Sequence, residues 1–169
     1  PLQHLSNSWS TIEALPASDL ASACKMVASG IADTMIAGIE HSTRDVILSC
    51  RDHFSMAINP KTQHPYKTFS GLVVMRRDSE LYLLSDMAAC KHPSAEQLHE
   101  IVEQTHSSAQ KLLPAQPRIA MLSFSTLGSG GKDPTIDIIQ ETLTTFANRN
   151  ITIAGEMQLD AAVNPRIGL

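Results

Sequence analysis

Two stretches of the chain carry residue types suited to holding an anion. In "GIEHSTRDVILSCR", residues 38–51, Ser42 and Thr43 stand at the start of a helical pattern. Hydroxyls and the free backbone N–H groups of a first helical turn converge there on negative charge. Arg44 and Arg51 are seven apart and fall near one helix face. Ser42 fits two roles: a helix cap alone, or a cap that also donates to an anion.

The second stretch is "SFSTLGSGGKDP", residues 123–134. It follows a strand pattern and opens a helix, the place where α/β proteins gather ligands. Asp133 reads as the N-cap and Pro134 as a first-turn residue. Ser123, Ser125, Thr126 and Ser129 add hydroxyls. A nucleotide P-loop needs G-x-x-x-x-G-K-[ST]. Here Gly128 and Gly131 are too close, and Asp133 follows Lys132. The dinucleotide pattern G-x-G-x-x-G is absent too. Two readings stay open, an anion-holding turn and a flexible glycine-rich turn on the surface.

The remaining polar residues point to less. His99 and His106 share a helix face without a third ligand, so both are expected in solvent. Cys90 and His92 are too close and too isolated for a metal. Asp86 closes a strand and reads as a loop cap; Asp160 fits an acid–base group or a helix cap. Cys24 and Cys50 sit in apolar helical patterns and read as buried reduced thiols, which places the chain in a reducing cytosol. Met75, Met87, Met121 and Met157 read as core, and Trp9 as cover for an apolar patch.

The elements that must position these groups are legible from period and punctuation. Residues 18–30 form a helix capped by Ser18 or Asp19 and stopped at Gly30. "DTMIAGI", 33–39, is a short apolar run that predicts a buried strand. A helix follows from His41, with Val46, Ile47, Cys50 and Phe54 on one side. "INPKTQHPYKT" has two prolines and no period, and reads as a linker or crossover. "FSGLVVMRR" and "ELYLLSD" flank Asp78-Ser79 as a hairpin. The segment 92–113 is a helix with Pro93 in its first turn and a Ser94/Gln97 capping box. "RIAMLSFS" predicts a strand, 134–149 a helix and "ITIAG" a strand, while "EMQLDAAVN" stays ambiguous. Alternation of this kind means α/β with a mostly parallel sheet and some antiparallel pairing.

Bulk properties exclude some partners. The 169 residues suffice for one domain and part of a second, with 43% hydrophobic residues to build a core. A formal charge of −4 argues against nucleic acid, which needs a basic face. No apolar run has the length of a membrane span, and the opening does not read as a signal peptide.

Four stretches, in order from Ala23 to Val163, resemble the phosphate acetyltransferase (phosphotransacetylase) family: "KMVASGIADTMIAGIEHST", "SDMAACKHPSAEQLHEI", "PRIAMLSFSTLGSGG" and "GEMQLDAAV". The resemblance implies a three-layer α/β/α fold with a mostly parallel sheet, like isocitrate and isopropylmalate dehydrogenases. Residues 1–57 would be a leader and the end of a first-domain segment, 58–67 a linker, and 68–169 a second α/β domain incomplete at its C-terminus. The implied reaction is acetyl-CoA plus phosphate to acetyl phosphate plus CoA, in the cytoplasm, in a homo-oligomer built on a dimer. The coenzyme A thioester would be a substrate; no cofactor and no metal are implied.

On this mapping Ser42 and Thr43 form a substrate-side hydroxyl turn, and Ser70 faces the same cleft near the domain joint. Leu48 stands where the family has an arginine, and Arg44 and Arg51, about a helical turn to either side, are the two candidates to substitute. The glycine-rich stretch becomes a family signature rather than the phosphate cradle. The family's catalytic Ser-Arg and Asp belong to an Asn-Asp-Leu-Ser-Arg region beyond Leu169, so the isolated chain is expected to be inactive. The alternative is a non-catalytic regulatory or oligomerisation domain, as at the C-terminus of large malic enzymes.

Overall fold

The computed structural model describes residues 13–164, 166 and 167. The leader, with the role expected for Trp9, lies outside the described residues. The chain divides between Tyr66 and Lys67 into two compact units.

The N-terminal unit holds two packed helices, α1 (Leu20–Ala28) and α2 (Thr43–His53). Asp19 caps α1 by accepting from the Ser22 N–H at 2.7 Å. Gly30, at φ +75°, supplies the left-handed stop, where the Ile31 N–H returns to the Met26 carbonyl. Cys24 is fully buried. The apolar run 33–39 does not form the expected strand. Among the described residues it has no strand to pair with, and Ile36 and Ile39 are fully exposed. An apolar run buries itself only against a neighbour, so periodicity alone could not supply the second half of that contact.

The stretch read as a linker is an ordered turn. Buried Asn59 accepts from the backbone of Lys61 and Thr62, its own N–H donates to the His64 carbonyl, and Ile58 bridges to Pro65. This is an Asx-type turn, in which the side chain replaces a backbone acceptor.

In the C-terminal unit, β1 (Val73–Arg77) and β2 (Glu80–Leu84) form the hairpin read from the sequence. Asp78 takes φ +54° at its tip, as a two-residue turn demands. Helix α3 (Ala95–Leu112) starts on a complete Ser94/Gln97 capping box. Pro93 precedes the cap rather than occupying the first turn. Strand β3 (Arg118–Leu122), helix α4 (Pro134–Phe146) and strand β4 (Thr152–Met157) make a parallel crossover unit. A short helix α5 (Leu159–Val163) settles the ambiguous segment. β4 approaches β3 closely at Gly155, where a Cβ would lie 2.7 Å from Met121 Cβ and Met121 O. With φ +152° besides, the position requires glycine.

Val102, Met121, Ile139 and Phe146 form the core, flanked by Leu98, Leu143 and Ile153. Met75 and Met87, read as core, are exposed: β1 turns every residue, Met75 included, to solvent, and Met87 lies in the loop after β2. The class is mixed α/β, but no mostly parallel sheet is formed among the described residues. Among the described residues the strands make two separate pairs, one antiparallel and one parallel. A parallel sheet needs several crossover units side by side, and one is completed among the described residues.

Candidate functional site

Ser42 is the N-cap of α2, and both of its roles at that position are filled from within the helix. Its Oγ accepts from the Asp45 N–H at 3.2 Å and donates to Asp45 Oδ2 at 2.6 Å. The hydroxyl's hydrogen bond holds the Asp45 carboxyl below its usual range. A carboxylate at a helix start interacts favourably with the positive end of the dipole. The turn therefore carries its own anion. Ser42, Thr43, Arg44 and Arg51 are all exposed. Neither arginine forms an ion pair or hydrogen bond among the described residues, so both guanidinium groups are free to meet a ligand. Leu48 is 40% exposed on the same helix.

Ser70 belongs to the C-terminal unit, apart in the chain from the other four. Its Oγ lies 2.8 Å from Ser85 Oγ. The two hydroxyls line a small open recess of about 60 Å³ with Leu72, Gln104, Thr105 and Ser108. Asp86 acts as the loop cap read from the sequence: Oδ1 accepts from Gly71 N–H at 2.6 Å, and Oδ2 from Ala89 and Cys90 N–H.

The glycine-rich loop lies on the surface, exposed from Leu127 to Lys132. Two of its donors face inward onto the carboxylate of Glu156, which is 1% exposed. Oε1 accepts from Gly128 N–H at 2.6 Å and from Ser125 Oγ at 3.0 Å. Oε2 accepts from the Gln140 amide. Fully buried Ser125 in turn accepts from Gly130 N–H at 2.9 Å. A Cβ on Gly130 would lie 2.6 Å from the Phe124 ring and 2.8 Å from Ser125 Cβ, so glycine lets the loop close. The Gly128 N–H, then Glu156's own backbone and the Ser125 and Gln140 donors, hold the carboxyl below its ordinary range against the opposing effect of burial. Glu156 escaped the sequence reading. Its signal was a charged residue inside the strand pattern "ITIAGEM": a buried carboxylate needs donors, and a loop rich in N–H and hydroxyl groups is the place to look.

A second polar cluster joins α3 to the end of α4. Arg149 donates to buried Glu103 at 2.6 Å and lies over the Phe146 ring at 4.9 Å. His99 stacks on Phe146 at 4.6 Å. His99 Nε2 lies 3.2 Å from Arg149 and 3.4 Å from Glu103 Oε1, and its Nδ1 lies 2.8 Å from Thr145 Oγ1. His99 is thus part of a helix contact, and His106 is half-buried with an Nε2 that has no partner. The expectation that both stand in solvent fails because the apolar stripe of α3 runs beside them and α4 packs there. Among the described residues no group of histidine, cysteine, aspartate or glutamate side chains is arranged to hold a metal ion, and no helix is long and apolar enough to cross a membrane.

With an α/β unit built on one crossover and an inward-closed serine–glycine loop in view, the comparisons with known proteins are specific. The chain belongs to the phosphate acetyl/butaryl transferase family, whose pattern matches residues 6–168. It is 33% identical over 143 residues to the phosphate acetyltransferase of Bacillus subtilis, covering 84% of this chain and 42% of that protein. It is 35% identical over 149 residues to the phosphate acetyltransferase of Thermoanaerobacterium thermosaccharolyticum, covering 83% and 43%. In structure it is similar to the EutD phosphotransacetylase of Staphylococcus aureus, with TM-score 0.61 and 26% identity over 88% of this chain and 44% of that one. A branched-chain phosphotransacylase from Enterococcus faecalis shares the fold, with TM-score 0.67 at 22% identity, covering 98% of this chain and 67% of that one. The chain spans less than half the length of these curated relatives.

Proposed function

We propose that the chain is part of a phosphate acyltransferase exchanging acetyl-CoA and phosphate for acetyl phosphate and CoA. The observation that carries the reading is the family match across residues 6–168. In the reaction a phosphate oxygen attacks the thioester carbonyl, the C–S bond breaks, and the departing sulfur takes a proton. Coenzyme A is a substrate in this scheme and no metal or resident cofactor takes part. The enzyme's task is to hold two anionic reactants together and to stabilise the oxyanion.

Within that scheme the N–H groups and hydroxyls at Ser42 and Thr43, with the free cations Arg44 and Arg51, supply the phosphate-facing wall. Arg44 and Arg51 stand about one helical turn either side of Leu48, a shift of about 5 Å for the charge. Ser70, in the C-terminal unit, is a further candidate contact for the thioester. These 169 residues are part of a three-layer, dehydrogenase-like architecture, and residues 68–169 belong to its second domain. Transfer requires the further length that the curated relatives carry. The assembly is a cytoplasmic homo-oligomer built on a dimer.

A second reading, a non-catalytic assembly domain, is favoured by one observation, that Asp45 already occupies the helix start; the family resemblance adds that Leu48 stands where an arginine is expected. A chimera separates the two. The chain replaces the matching stretch of the Bacillus subtilis enzyme, and acetyl-CoA formation from acetyl phosphate and CoA is followed. We expect turnover by the chimera, a loss of at least tenfold on Arg51→Ala, and background activity from the isolated chain. A folded chimera without turnover would favour the assembly reading, and robust turnover by the isolated chain would overturn the need for further length.

A further inference from the structure

The C-terminal unit opens on a segment without helix or strand, Lys67 to Leu72, whose backbone is held by side chains from elsewhere in the same unit. At its start the Glu100 carboxylate on α3 accepts the N–H groups of Lys67 and Thr68, at 3.1 and 2.7 Å, and the Gln104 amide donates to the Thr68 carbonyl at 3.0 Å. At its end the Gly71 N–H donates to Asp86 Oδ1 at 2.6 Å, and the Gly71 carbonyl accepts the Met87 N–H at 3.1 Å. A Cβ on Gly71 would lie 2.7 Å from the Met87 carbonyl oxygen, so glycine permits the approach. The other Asp86 oxygen holds the Ala89 and Cys90 N–H groups. One carboxylate thus ties the segment before β1 to the loop after β2.

Ser70 lies between the two fixings, its Oγ 2.8 Å from Ser85 Oγ. Each hydroxyl carries one proton and can also accept. One proton bridges the pair, and the other O–H is left to donate. No charged side chain lines the recess that the pair shares with Leu72, Gln104, Thr105 and Ser108. Hydroxyls and an amide without a cation suit a neutral, amide-bearing chain rather than a phosphate, which is held by guanidinium groups or a helix start. We propose that Asp86 is a positioning residue: by fixing Gly71 and the loop after β2, it sets the Ser70–Ser85 pair to meet the neutral, amide-bearing arm that carries the sulfur of coenzyme A. The assignment rests on the acyl-transfer reading above, in which Ser70 is a candidate contact for the thioester. Asp86 acts through the backbone and touches neither reactant.

The test uses the chimera described above and follows kcat and the KM values for CoA and acetyl phosphate separately. Asp86→Asn leaves one acceptor oxygen for donors on two sides. We expect KM for CoA to rise about fivefold, the scale of one lost hydrogen bond, with kcat and the KM for acetyl phosphate within about twofold of the parent. Ser70→Ala is expected to give a similar rise. Asp86→Asn added to Ser70→Ala should change nothing more, because the group being positioned is gone. Asp86→Ser serves as a second variant should the asparagine disturb folding. Effects that multiply in the double variant, an equal rise in the KM for acetyl phosphate, or an unchanged KM for CoA would overturn the assignment and leave acyl transfer standing. A folded chimera without turnover before any of these substitutions would overturn the acyl-transfer reading, and the assignment with it.

Discussion

The carboxylate of Glu156, on β4, accepts the backbone N–H of Gly128 at 2.6 Å across 28 residues of chain. That contact converts a glycine-rich stretch with no pattern of its own into a closed loop. Ser125 from the loop and Gln140 from α4 complete the coordination of this one buried charge.

The first prediction concerns acid. The folded-state pKa of Glu156 is depressed, so its contribution to stability is fully present above the ordinary carboxylate range. It is lost as pH falls through the lower folded value. Glu156→Gln keeps the shape and removes the charge. Thermal midpoints measured from neutral pH downward are expected to converge for the variant and the parent in acid. Parallel profiles would show that the loop does not depend on the ionised group.

Arg149 carries the second. It neutralises buried Glu103 and packs over Phe146. Arg149→Ala is expected to cost about 3 kcal/mol, because a buried carboxylate loses its guanidinium. Chemical denaturation of the C-terminal unit checks this. Arg149→Met with Glu103→Leu should lose much less than the sum of the single changes, since the charge to be compensated leaves with its partner. Additive losses would mean that the ion pair is not the source.

The third separates cap from anion site at α2. Ser42→Ala removes the cap and is expected to cost about 1 kcal/mol. Asp45→Asn keeps the helix start but discharges the carboxylate that fills it. If phosphate binds there, the thermal midpoint of the Asp45→Asn chain rises with added phosphate more steeply than the parent's. An identical phosphate response in both would remove the turn from the anion wall.

Local chemistry was written in local residues. Asp19 and Gly30 bound α1, Ser94 and Gln97 start α3, and Asp78-Ser79 turns the hairpin, each through contacts reaching no more than a few positions. Such signals depend on neighbours in the chain, so the chain alone states them. The family was legible for the same reason: its motifs are continuous runs whose order survives without coordinates.

What the sequence by itself determined, then, is the order and type of most elements, their caps, and the family. Only the tertiary structure decided that the 33–39 run lacks a partner strand among the described residues, that His99 is a helix contact, and that the Ser125 hydroxyl turns onto Glu156. Each of those outcomes depends on a group tens of residues away. Burial of a charge or an apolar run is a property of both surfaces that meet, and one-dimensional spacing describes only one of them.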